Sequence, residues 1–144
     1  MIVPATTFRP LLAAVAFAAG ALLASPVPHA AADEVGAAVK PVMSEKLPNV
    51  PGKSVTAVLV SYPPGGKTPS HHHAGSVFAY VLSGAIRSEV SGAGPARVFK
   101  AGEAFFEPPG SEHLVSENAS ATEPASLLAV FVADDGAQLT TLGK

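Results

Sequence analysis

The chain has 144 residues and a formal net charge of −2, with 48% hydrophobic and only 14% charged residues, no cysteine and no tryptophan. This composition excludes a disulfide framework and a lipidated cysteine anchor, so the fold rests on its core or on a metal. Without a basic patch or interleaved basic and aromatic residues, nucleic acid is excluded as a partner.

The opening segment is expected to be removed. Residues 1–10 carry a single basic side chain, Arg9; residues 11–24 are unbroken apolar; small residues then lead through Ala30, Ala31 and Ala32 to Asp33. A basic, then greasy, then small-residue order is that of a secretory signal peptide, here residues 1–32, cleaved near Ala32. The fourteen-residue apolar stretch falls short of the roughly 20 residues that span a bilayer, so no stable membrane insertion is expected after cleavage. The mature protein is expected in the periplasm or outside the cell.

Past the leader, no helical period of useful length appears. Residues 33–53, with Pro41, Pro48 and Pro51, read as an irregular or edge arm that wraps the barrel or a partner subunit. From residue 54 short apolar runs alternate with Pro and Gly punctuation: 54–62, 77–90, 96–99, 104–107, 113–116 and 127–133. Regularly spaced runs bounded by turn signals predict an all-β sandwich or barrel, here over residues 54–136. The long run is expected to bend at Gly84, where glycine tolerates backbone angles that other residues avoid. Residues 137–144 form a tail that adds a short strand or frays. Asn118-Ala-Ser matches a glycosylation sequon, a pattern common by chance.

The chemistry concentrates in the histidines. Successive strand side chains point to opposite faces, so in Ser70-His-His-His the pair His71 and His73 shares one face and His72 faces away. Two imidazoles at i and i+2 on an inner wall can grip one cation. A third must come from another strand, and His113 is the only other histidine after the leader. Pro63-Pro-Gly precedes the first pair and Pro108-Pro-Gly precedes His113, which sets each at a strand leaving a rigid turn.

These residues carry a resemblance. Gly65-x5-His71-x-His73-x3-Val77-x6-Gly84 resembles the first motif of the cupin family, and Gly102-x5-Pro108-x-Gly110-x2-His113 resembles the second. The resemblance implies a small jelly-roll barrel, usually a homodimer. It also implies an internal metal held by the two histidines of the first motif, a glutamate of that motif and the histidine of the second. This chain departs from the pattern twice. Val77 stands where the glutamate is expected and cannot coordinate; the asparagine closing the second motif falls one place late, at Asn118. The expected site is therefore His71, His73 and His113 around a divalent ion (Fe, Mn, Zn, Ni or Cu), with positions open to water or substrate.

Around that site, Val77, Ala79 and Val81 are expected to line the pocket, with Phe78, Tyr80 and Leu82 pointing outward as a dimer surface. Phe105 and Phe106 alternate, so one enters the pocket; the pattern leaves open which, and Phe106 is assigned to it. Glu107, Glu112 and Glu117 are the carboxylates near His113, and Glu107 and Glu117 are the acid or base candidates. The function expected is metal-dependent action on a small organic molecule, of oxygenase, isomerase or lyase type. The alternatives are a non-catalytic cupin that binds or senses a small molecule, and a metal carrier using His71, His72 and His73 as a docking clip.

Overall fold

The computed structural model describes residues 36–143, so the expected signal peptide lies outside the described residues. Among the described residues there is no helix, and hence none long and apolar enough to cross a membrane. The strands are β1 (Ala38–Lys46), β2 (Lys53–Tyr62), β3 (Lys67–Thr68), β4 (His71–His73), β5 (Ser76–Ser83), β6 (Ala85–Val90), β7 (Arg97–Lys100), β8 (Ala104–Glu107), β9 (Glu112–Asn118), β10 (Ala125–Asp134) and β11 (Thr140–Leu142). They build two antiparallel sheets, ordered β1-β2-β10-β5-β8 and β11-β4-β9-β6-β7, with β3 also paired to β9. Two facing sheets with this order fit a jelly roll.

Alternation does the sorting. Along β10 every second residue, Ala125, Leu127, Ala129, Phe131 and Ala133, is buried, and on β5 Val77, Ala79 and Val81 are at most 1% exposed. These inner positions, with Ile86 of β6 and Tyr62 of β2, form the core between the sheets. The outer face of the five-stranded sheet is also apolar, with Phe78, Tyr80, Leu82 and Phe106 between 38% and 54% exposed.

The expected bend at Gly84 is a change of sheet. β5 ends in the five-stranded sheet and β6 begins in the six-stranded one, with Gly84 between them at φ +67°. The arm is more regular than its prolines suggest. Its residues 38–46 form edge strand β1 along β2, and the register shifts between Pro41 and Met43, where a proline without an N–H is tolerated. The tail contributes β11, which pairs with β4 so that Thr140 faces His73 and Leu142 faces His71.

One irregularity positions the site. Across β6 and β9, Glu89 pairs with Val115 but Val90 pairs with His113, leaving Leu114 as an extra residue. Such a bulge inverts the alternation that follows it. His113, Ser116 and Asn118 are therefore all buried, and the late asparagine of the second motif still faces inward. There Asn118 Nδ2 donates to the carbonyls of Pro63 and Glu123, and its Oδ1 accepts from the Ser120 N–H. The sequon asparagine thus clips two turns together from a buried position.

Candidate metal centre

His71 and His73 lie on β4, His113 on β9, and the two strands pair directly with His71 opposite His113. Ring centroids are 4.7 Å apart for His71 and His73, 4.9 Å for His71 and His113, and 6.5 Å for His73 and His113. One ligand nitrogen from each ring lies within 4.8 Å of the others. With metal–nitrogen bonds of ~2.0–2.1 Å, the rings need close by only about an ångström to share an ion. His72 is exposed on the opposite face, as alternation requires.

Each ring is held by its second nitrogen. His71 Nδ1 donates to the Pro69 carbonyl at 2.7 Å, and His73 Nδ1 donates to the Leu139 carbonyl at 3.1 Å. Both Nε2 atoms are left with their lone pairs free, the arrangement by which outer partners orient metal-binding imidazoles. His113 Nε2 pairs with Ser88 Oγ at 2.8 Å, so Nδ1 is its site-facing nitrogen. Glu107, at the end of β8, points into the same space. Its Oε2 lies 3.2 Å from His113 Nδ1 and 3.6 Å from His73 Nε2, is buried, and has no hydrogen-bond partner. Three oriented nitrogens and an orphaned carboxylate oxygen are a donor set that fits a divalent cation.

The cluster lines a cavity of about 270 Å³. Its apolar wall comes from Val58, Val60, Leu127, Ala129, Phe131 and Leu139. A second polar group sits on the wall: Tyr62 Oη hydrogen-bonds both Thr68 Oγ1 and Ser116 Oγ at 2.8 Å, and burial raises its pKa above the ordinary phenol value. Neither Lys nor Arg is among the lining residues described.

A cupin domain is matched over residues 58–131, which include all three histidines and Glu107. The chain belongs to the cupin family. No curated protein matches it. Among solved structures, this cupin is similar to the TT1209 protein of Thermus thermophilus at 28% identity, covering 73% of this chain and 90% of that one with a TM-score of 0.54. It is similar in fold to an oxalate oxidase bound to glycolate, at 24% identity and a TM-score of 0.58, over 77% of this chain and 57% of the oxidase. The DMSP lyase DddQ of Ruegeria pomeroyi is similar at 24% identity and a TM-score of 0.53, over 61% of this chain. The cupin spans only 42% of that lyase's length.

Several residues singled out in the sequence land elsewhere. Phe105, not Phe106, lines the cavity: Phe105 pairs across from inward Ala79, whereas Phe106 pairs with outward Phe78 and is 54% exposed. Of the three β5 residues assigned to the pocket, Ala79 lines it; Val77 and Val81 face the same way but are packed in the core. Glu117 is turned away by the Leu114 bulge and pairs with Arg87 on the outer face, its Oε1 3.1 Å from the guanidinium Nε. Glu112 accepts a hydrogen bond from Ser70 Oγ, outside the cluster. Of the carboxylates near His113, Glu107 alone reaches the imidazoles. Tyr62, Ser116 and Leu139 were not singled out, because nothing local distinguishes them from core or loop residues.

Burial is the main cause that lowers the pKa of His71 and of His73 below the ordinary imidazole value, against the raising effects of the Pro69 carbonyl on His71 and of Glu107 on His73. In the unfolded chain both titrate near ~6.5, so below that pH the unfolded state binds more protons than the folded one. The part of the metal-free protein's stability linked to these two groups is therefore fully present above about pH 7 and is lost as the pH falls below ~6.5 toward the folded values. Urea unfolding at about pH 7.5 and pH 5.5 checks this; an equal or higher midpoint at the lower pH contradicts it.

Proposed function

We propose that this protein is an exported, metal-dependent cupin that acts on a small, uncharged and largely apolar organic molecule. The observation that carries the proposal is the placement of three oriented imidazoles, converging within 4.8 Å, on the wall of a largely apolar cavity. His71, His73 and His113 would hold the ion, whose contribution when bound is Lewis-acid polarisation of an oxygen on the substrate. The chain's own groups do the rest. Val58, Val60, Leu127 and Phe131 bind the apolar body and exclude water, the Tyr62 hydroxyl offers a hydrogen bond to a second polar atom, and Glu107 is the acid–base group beside the reacting centre.

Cavity size and charge narrow the substrate. A volume of about 270 Å³ lies at the small end of ligand pockets. Beyond the ion itself, a small dianion, such as the oxalate in the name of the similar oxidase, would meet a carboxylate and no cationic side chain among the described lining residues to hold its second charge. Reaction class follows from the site rather than from the fold, and an oxygenase, isomerase or lyase acting on a carbonyl or enol group suits this donor set. A metal carrier built on the histidine triplet has less support, because exposed His72 stands apart from the cluster.

Export is supported by the leader-like residues 1–32, and sequencing the N-terminus of the mature protein reads it directly. A homodimer is supported by the exposed row Phe78, Tyr80, Leu82 and Phe106, because patches of this kind are rarely left in water; sedimentation equilibrium tests it.

The functional test compares metal-loaded wild type with Ala129→Phe on a panel of small neutral carbonyl and aromatic compounds and of dicarboxylates. Turnover is expected among the neutral compounds, and Ala129→Phe should reduce it at least ~100-fold with metal content unchanged, since the ring fills space the substrate needs. Full turnover in Ala129→Phe would remove the cavity from the mechanism. Saturable binding of a panel member without turnover would make the protein a binder or sensor.

A further inference from the structure

The family pattern places an acidic ligand on the strand that here is β5, and at that position the chain has Val77. In the β5–β8 ladder the residue directly opposite Val77 is Glu107. Directly paired residues share a face of the sheet, with Cβ atoms only ~4.5–5.5 Å apart, a span that a glutamate side chain covers. The Glu107 carboxylate does turn toward the histidines. Its Oε2 stands 3.2 Å from His113 Nδ1 and 3.6 Å from His73 Nε2, and Glu107 is 3% exposed.

We infer that Glu107 is the fourth metal donor of this protein, its carboxylate supplied from β8 in place of the β5 residue that Val77 replaces. The inference rests on the metal-binding reading proposed above and assigns Glu107 to the ion itself, rather than to proton transfer alone.

Two observations carry it. The first is the orphaned oxygen: Oε2 is buried with no hydrogen-bond partner, a state that costs free energy unless a cation or donor occupies the space it faces. That oxygen faces two of the three clustered imidazoles, at His113 Nδ1 and His73 Nε2. The second is reciprocity. With a carboxylate on β8, a second one at position 77 would set two like charges directly opposite each other across the ladder. Val77 is instead 1% exposed and packs in the core, a hydrophobic support directly opposite the Glu107 carboxylate. A site of three nitrogens and one hard oxygen also favours Mn, Fe, Ni or Zn over Cu(I), which prefers sulfur.

The test measures Mn²⁺ and Zn²⁺ affinity of chelator-stripped protein by calorimetry, and the visible absorption of its Co²⁺ form. The proteins are wild type, Glu107→Gln, Glu107→Val and the double variant Val77→Glu/Glu107→Val. Gln keeps the shape of Glu107 but is a far weaker donor, so Glu107→Gln is expected to weaken binding at least ~10-fold and to change the Co²⁺ spectrum, with the circular dichroism of the barrel retained. The double variant restores a carboxylate from the opposite strand and should recover most of the affinity that Glu107→Val loses. Wild-type affinity and an unchanged spectrum in Glu107→Gln overturn the inference. Loss in Glu107→Gln without recovery in a folded double variant overturns the exchange of strands. A wild-type protein that binds none of the three metals overturns instead the reading beneath it.

Discussion

Replacing His113 with alanine is expected to empty the metal site while leaving the barrel folded. His113 sits on β9, paired on one side with β4 and on the other with β6, and its ring is the one imidazole of the cluster that does not come from the Ser70–His73 segment. Its removal leaves two imidazoles, both on β4, and one carboxylate on β8. It also removes the partner of Ser88 Oγ, which a water in the vacated space can replace. Metal affinity should fall on the order of 100-fold or more, the upper end of what even supporting partners of a metal site contribute. The backbone ladder of β9 is untouched, so far-UV circular dichroism should not change. Elemental analysis of purified protein checks the result, with His72→Ala as the control. His72 is exposed on the outer face and its loss should leave metal content at the wild-type level. The opposite pattern, metal lost in His72→Ala and kept in His113→Ala, would refute the site.

Gly84→Ala is expected to destabilise the barrel strongly. Gly84 turns the chain from β5 into β6 at φ +67°, a region that costs a residue with a Cβ about 1 kcal/mol or more. Here the added carbon would also stand 2.6 Å from the Pro124 carbonyl oxygen and 2.8 Å from Ala125 Cβ. Pro124 and Ala125 lead into β10, the central strand of the five-stranded sheet, so neither can retreat without disturbing the core. A loss of about 3 kcal/mol, or a Tm lower by roughly 10 °C, is expected by calorimetry. Gly92→Ala isolates the backbone part: Gly92 has φ +79° but nothing within 4 Å of the added carbon. Its cost should be about a third of that at Gly84, and equal losses at the two positions would mean that the Pro124 contact carries no weight.

Much of this could be read from residue order. Apolar runs separated by Pro and Gly announced strands, and the observed β2, β5 to β10 begin or end within a few residues of the runs that predict them. The bend at Gly84 followed from glycine's conformational range, and the pairing of His71 with His73 from the two-residue period of a strand. Where the sequence argument failed, it failed on which face a residue takes. Glu117 lies four residues after His113, which on an unbroken strand is the same face; the Leu114 bulge breaks that count. Phe105 and Phe106 are equivalent to any pattern argument, and only the alignment of β8 against β5 separates them.

By itself, then, the sequence determined that this protein is all-β, that it carries the two cupin motifs, and that His71, His73 and His113 are its metal-ligand candidates, because alternation, punctuation and motif spacing are local properties of the chain. The tertiary structure alone decided that Glu107 rather than Glu117 meets the imidazoles, that Phe105 rather than Phe106 enters the cavity, and that Tyr62, Ser116 and Leu139 take part. Each of these depends on strand register, and register is set by pairing between segments tens of residues apart, where a shift of one residue exchanges inside for outside.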